Sequence, residues 1–170
     1  MADTDPPLAP DELVSAGSER ELLATFLDVY RGIVAGKLAG LGEEDARRRL
    51  VPSATTLLGL VRHLAAVERE WFGLVLGQRP PAAVGLPVPG DGFTIGPDDT
   101  VAGVLAEYRS ACEQSGASAA EHGLDDTVPH WRLGSVSLRW IYVHMIEETA
   151  RHAGHADILR EQTDGSTGFD

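Results

Sequence analysis

The sequence predicts an all-α fold, a four-helix bundle, and two observations predict it. Four long stretches, at roughly residues 18–40, 54–76, 99–121 and 136–162, repeat apolar side chains at helical spacing. Alternating apolar runs, which a half-buried strand needs, are scarce, so a substantial sheet is not expected. At 170 residues, 43% of them hydrophobic, the chain can fill one sizeable core, which is what four helices in a single domain require.

The first helix is "SERELLATFLDVYRGIVAGKLAGL". Ser18 stands three residues before Glu21, a capping-box spacing, and Leu22, Phe26, Val29, Ile33, Leu38 and Leu41 follow near helical intervals. A polar stretch, "GEEDARRRLVPS", separates it from the second helix, "ATTLLGLVRHLAAVEREWFGLVL", which is entered from Pro52-Ser53 and ends near Gly77. Residues 77–98 are too rich in Pro and Gly for a regular helix; so long a loop is either functional or a long crossover. The third helix, "DTVAGVLAEYRSACEQSGASAAEHG", carries Val101, Val104, Leu105, Tyr108, Cys112 and Ser115 on one face. Residues 123–136 are read as a further connection. The fourth helix, "SLRWIYVHMIEETARHAGHADILREQ", is stopped by Asp164-Gly165. Residues 1–10 and 166–170 are expected to be flexible tails around a single domain, 11–165, and no internal repeat divides it.

The net charge of -12, from 26 acidic against 14 basic residues, argues against a nucleic-acid partner. No basic amphipathic segment and no apolar run of spanning length suggests a membrane. The lone Cys112 permits no intramolecular disulfide, and "MADTDPPLAP" lacks the charge and apolar core of a signal peptide. A cytoplasmic location is the expectation.

On a helical wheel His144, Glu148, His152 and His155 fall within about 80° of one another. Ile141 and Leu159 share that stripe, and Leu138, Met145 and Ala156 border it, so the polar groups lie on or beside the core face. Arg151 and Arg160 lie nearer the solvent edges. On the second helix His63 shares a face with Leu60, Leu64, Val67, Trp71 and Leu74. Two helices thus each aim ionisable groups inward, as bundle metal sites require. Glu148 and His152, four apart, are neighbours that can chelate one ion, and His63 would be a third ligand. Zinc, nickel and iron(II) all accept two imidazoles and a carboxylate with positions left open. A second reading stands beside this one: Glu148 and His152 as a solvated surface pair, and His63 as a hydrogen-bonded core residue.

Other residues draw lesser expectations. Trp71 and Trp140 are read as core packing, and His130-Trp131 as a loop anchor or the mouth of a pocket. Cys112 is read as an inert buried thiol. Glu70 is either a proton acceptor near His63 or the partner of Arg69 or another cation. No phosphate loop, zinc-finger spacing or Ser-His-Asp order is present.

"LVRHLAAVEREWF" and "HMIEETARHAGHADILREQTDG" resemble the two signature segments of the DinB-like superfamily, most of all its actinobacterial-type branch called mini-circle proteins. The resemblance runs from the first helix to Gly165. It implies a four-helix bundle with a long crossover between helices 2 and 3, often dimeric, with a divalent metal held by three residues. Matched by motif, these are His63, Glu148 and His152. The common pattern has His at both positions of the fourth helix. Glu148 departs from it and resembles the maleylpyruvate isomerase branch, which uses mycothiol. His144 and His155 are spares on the same stripe, either orienting a ligand or replacing one. The expectation is a metal-dependent enzyme acting on a small molecule, a thiol-dependent transferase or isomerase. A non-catalytic metal- or ligand-binding bundle and a bundle with a vestigial pocket remain as alternatives.

Overall fold

The computed structural model describes residues 7–86 and 93–168. They are mostly helical: α1 (Pro10–Leu13), α2 (Glu19–Leu38), α3 (Glu43–Ala46), α4 (Leu57–Glu68), α5 (Val101–Ala120) and α6 (Leu138–Asp164), with one antiparallel hairpin, β1 (Thr127–His130) and β2 (Gly134–Ser137). No helix among the described residues is long and apolar enough to cross a membrane. The four long predicted helices correspond to α2, α4, α5 and α6. Part of the predicted crossover, residues 87–92, lies outside the described residues, as do most of the first predicted tail and residues 169–170.

Local chemistry sets the helix ends. At α2 the Ser18 N–H donates to the Glu21 carboxylate at 2.8 Å and the Ser18 hydroxyl accepts from Glu21 N–H, so two otherwise orphaned donors are satisfied. Thr56, Thr100 and Ser137 cap α4, α5 and α6 through their hydroxyls. Gly165, at φ 77°, takes the left-handed conformation that closes α6. Helix α4 continues without a break into a π-helix, Arg69–Leu76.

Helix α2 packs chiefly along α6, and α4 along α5. One part of the core joins Val34, Leu38, Leu60, Leu64, Val104 and Leu159; a second surrounds the π-helix with Leu27, Phe72, Leu76, Leu138, Ile141 and Met145. The site described below sits where α4 approaches α6.

Four features depart from the expectations. Residues 123–136 are not a plain connection: Val128 and Val136 face the core from paired strands, and Gly134, at φ 79°, supplies the turn. Four-residue strands, one broken by Pro129, are too short for alternation to show. The polar stretch after α2 forms α3, whose Glu43 carboxylate accepts the Val101 N–H at 2.9 Å. Trp140 is not core packing: it is 40% exposed, with its indole stacked on His144. Arg160, placed at a solvent edge by the wheel, turns back to donate to the carbonyls of Lys37 and Ala39 at 3.0 Å.

Candidate metal centre

His63 lies on the edge of α4, flanked by the buried Leu60, Val61 and Leu64 that fix that helix against the core. On α6 the buried Ile141, Met145, Thr149 and Ala156 set the inward face and carry Glu148 and His152 beside it, one turn apart. Glu148 Oε1 lies 3.3 Å from His63 Nε2 and 3.1 Å from His152 Nε2. One donor atom from each of the three residues lies within 4.8 Å of the others. Two donors bound to one ion at about 2.1 Å stand roughly 3.0–3.4 Å apart. The distances to Glu148 match that span. Two imidazole nitrogens and a carboxylate oxygen, mostly shielded from water, therefore suit a divalent ion of the zinc, nickel or iron(II) kind.

The two remaining histidines of the stripe take different places. His155 Nδ1 lies 3.4 Å from His152 Nδ1, on the side away from Glu148. His144 joins neither; it stacks on Trp140 at 5.1 Å and meets the edge of Trp71 at 4.5 Å. His130 is buried and stacks between Trp71 and Trp131. Glu70 is not the partner of Arg69, which pairs with Glu107. Cys112 has its thiol pushed up to about 12 by burial and by the nearby Glu68 carboxylate, which removes it as a nucleophile at neutral pH.

Two neighbours of the triad escaped the sequence reading. Arg151 reaches back so that Nη1 lies 3.3 Å from Glu148 Oε2, the oxygen not shared by the imidazoles. Phe93 stacks on His63, with ring centroids 4.1 Å apart and planes 15° from parallel, and its ring lies 6.0 Å from His152. A lone aromatic in a Pro- and Gly-rich loop gives no periodic signal. The trace it left is Gly59, one turn before His63 in an otherwise bulky helix. A side-chain carbon at Gly59 would stand 2.8 Å from the Phe93 carbonyl oxygen. Gly59→Ala in a helix would ordinarily gain about 1 kcal/mol. Here backbone meets the new carbon, so the variant is expected to lose about 1–3 kcal/mol instead. Urea unfolding reads the sign, and the chemical shifts of His63 read whether Phe93 has moved.

Burial pushes the Glu148 carboxyl upward, but His152, His63 and Arg151 together outweigh it and hold it below its ordinary value of 4.5. Burial holds the His152 imidazole below 6.5 despite the pull of Glu148. At neutral pH the pair therefore presents a carboxylate and a neutral imidazole, the forms that bind metal. In metal-free protein both groups act in the same direction. Protons favour the unfolded chain wherever the folded pKa is the lower one. Stability is expected to hold above about pH 6.5, to fall as pH drops through the folded value of His152, and to fall again below 4.5 as Glu148 protonates. Melting temperature measured against pH in chelator shows this; His152→Gln should remove the first decline and weaken the second, because His152 is also foremost among the groups that hold Glu148 low.

The family model for mycothiol-S-transferase matches residues 22–165, a span that runs from within the first turn of α2 to just past α6 and holds all five residues of the predicted constellation. No curated protein sequence gives a significant match. With the helical bundle and the matched segments in place, the chain belongs to the mycothiol-S-transferase family, a member of the DinB-like group.

Proposed function

We propose that this protein is a divalent-metal-dependent transferase that joins a small thiol of the mycothiol type to a small electrophile. The observation that carries the reading is the convergence of His63, Glu148 and His152 from two helices, with one donor atom of each within 4.8 Å of the others. The family match supplies the thiol. The three side chains would hold the ion, and a divalent ion supplies positive charge that favours a bound thiolate at neutral pH. The chain's own groups prepare that position. Arg151 fixes the second oxygen of Glu148, so Oε1 stays between the imidazoles. His155 Nδ1 faces the Nδ1 of His152, which keeps the Nε2 of that ring turned toward Glu148. Phe93 covers one face of His63 and shields it from water. In the transfer itself a carbon–sulfur bond forms, the bond from that carbon to its leaving group breaks, and the thiol proton passes to solvent. An isomerisation that uses the same thiol transiently is the close variant.

The crossover between helices 2 and 3 belongs to this reading, because it delivers Phe93 to the site. A cytoplasmic setting does as well, since it keeps a thiol co-substrate reduced. So does a homodimer, which the apolar outer side of α2 supports: Phe26, Val29, Tyr30 and Ile33 border a surface groove of about 820 Å³ that contains none of the triad. Sedimentation is expected to give a dimer at micromolar concentration; a monomer there would remove that part.

The deciding experiment is elemental analysis of the purified protein, then turnover of mycothiol with an aryl halide before and after chelation. Metal near one equivalent and chelator-sensitive thioether formation are expected. A second reading rests on the hydrogen bonds themselves, since contacts of Glu148 Oε1 with both imidazoles can hold the three groups together. That triad predicts no metal and no change on chelation.

A further inference from the structure

A second site lies away from the triad, where the π-helix meets the hairpin. A groove of about 530 Å³ opens there between Gln78, Arg79 and Pro80 on one side and Pro129, His130 and Trp131 on the other. Its volume is that of small-molecule sites. The backbone that forms it is unusual. Eight residues of π-helix end at Leu76, and Gln78 follows with φ 49°, a left-handed conformation that is costly for a residue with a side chain. The Gln78 amide spans the gap, donating to the carbonyls of Val75 and Pro129 at 2.5 and 3.3 Å. Such irregularities persist where the surrounding structure enforces them, and they concentrate at binding sites.

The groups along the groove define a chemistry. His130 Nδ1 accepts two backbone N–H groups, from Arg132 and Leu133, each at 3.1 Å. Only a neutral ring with its proton on Nε2 can do so. The hydrogen bonds of His130 among the described residues all fall on Nδ1, which leaves the Nε2–H edge of this buried residue available. Both faces of this ring are covered, by Trp71 at 5.4 Å and by Trp131 at 4.1 Å. Its N–H edge is therefore what it can offer a ligand. Trp131 is itself 69% exposed yet held flat by that stack, which leaves an ordered indole face open. Arg79 completes the set. Its exposed guanidinium, like that of several other arginines, is in no ion pair among the described residues, and it is the arginine that lines this groove.

We propose that this groove binds a planar organic anion, of which an aromatic carboxylate is the simplest form. The ring would lie on Trp131 between the two prolines, and the carboxylate would take the Arg79 guanidinium and the His130 Nε2–H. The site is independent of the triad and stands whether or not the triad holds metal.

The test is titration of the full chain with benzoate, followed by calorimetry and by the indole N–H resonance of Trp131. Benzyl alcohol, with the ring but no charge, and acetate, with the charge but no ring, are the comparisons. Benzoate is expected to shift the Trp131 resonance and to bind about tenfold or more tightly than either. Arg79→Gln and Trp131→Ser, both at exposed positions, should each weaken benzoate by a similar factor, Arg79→Gln with melting temperature unchanged and Trp131→Ser with the helical circular dichroism retained. Benzoate bound equally well by both variants, a response centred on His152, equal binding of benzyl alcohol, or no binding would each overturn the proposal.

Discussion

His152→Ala is expected to abolish the difference in stability between metal-loaded and chelator-treated protein. A ligand that binds only the native state stabilises it by about 2.7 kcal/mol when its free concentration is a hundred times Kd. Wild-type protein should show a difference of that order under those conditions. Removing one of three donors raises Kd by orders of magnitude, so the same metal concentration falls below it. The variant also loses packing, because the His152 side chain is 10% exposed. That loss appears in chelator as well as in metal, and the comparison between the two conditions cancels it. His63→Ala should behave alike, since its Nε2 is the donor from the other helix. Denaturant unfolding of both variants with zinc and with chelator provides the measurement. A chelator effect as large in the variants as in wild type would show that these residues do not hold the ion.

Glu68→Ala is expected to cost more than any other single change considered. The carboxylate is fully buried and receives Arg31 through two bonds, Nε to Oε1 at 2.7 Å and Nη2 to Oε2 at 2.6 Å. Arg31 is largely buried too, with Asp28 as its other carboxylate. Taking one charge from such a pair strands the other in the core, at about 3–5 kcal/mol. Replacing both, as Arg31→Met with Glu68→Leu, strands nothing and is expected to recover most of the loss. A double-mutant cycle by urea unfolding decides this. Additive losses in the double variant would mean that the two charges are not coupled. The same carboxylate, after burial, helps to raise the Cys112 thiol, so Glu68→Ala should also speed alkylation of Cys112.

The long helices were legible because their signals are local. Ser18 with Glu21 and Gly165 mark ends by chemistry that needs only a few residues, and the apolar repeat marks the faces. The triad was legible for a related reason: Glu148 and His152 are one turn apart, and His63 interrupts a stripe of Leu and Val. What stayed hidden depends on tertiary placement. Glu68 lies one turn past Leu64, and nothing in its surroundings announces that Arg31, from another helix, will be there to neutralise it. Phe93 lies in a stretch without periodicity. Trp140 and Arg151 show the limit of a wheel: it gives the direction of Cα–Cβ, whereas a long side chain can stack outward or fold back. The π-helix has the composition of an α-helix, and no residue in Arg69–Leu76 distinguishes the two.

The separation of the three donors along the chain has a bearing on how the protein matures. Glu148 and His152 belong to the same helix, while His63 is 85 residues before Glu148. A segment containing only α6 offers at most two donors, on a helix that is itself marginal in isolation. A nascent chain extending only through α5 offers one. The third donor arrives when a long loop has been closed, an entropic cost that the packing of the helices helps to meet. Capture of an ion by all three would thus be confined to chains whose second and last long helices, α4 and α6, already pack together. If the triad holds metal, this ordering would keep incompletely folded copies from binding it with all three donors.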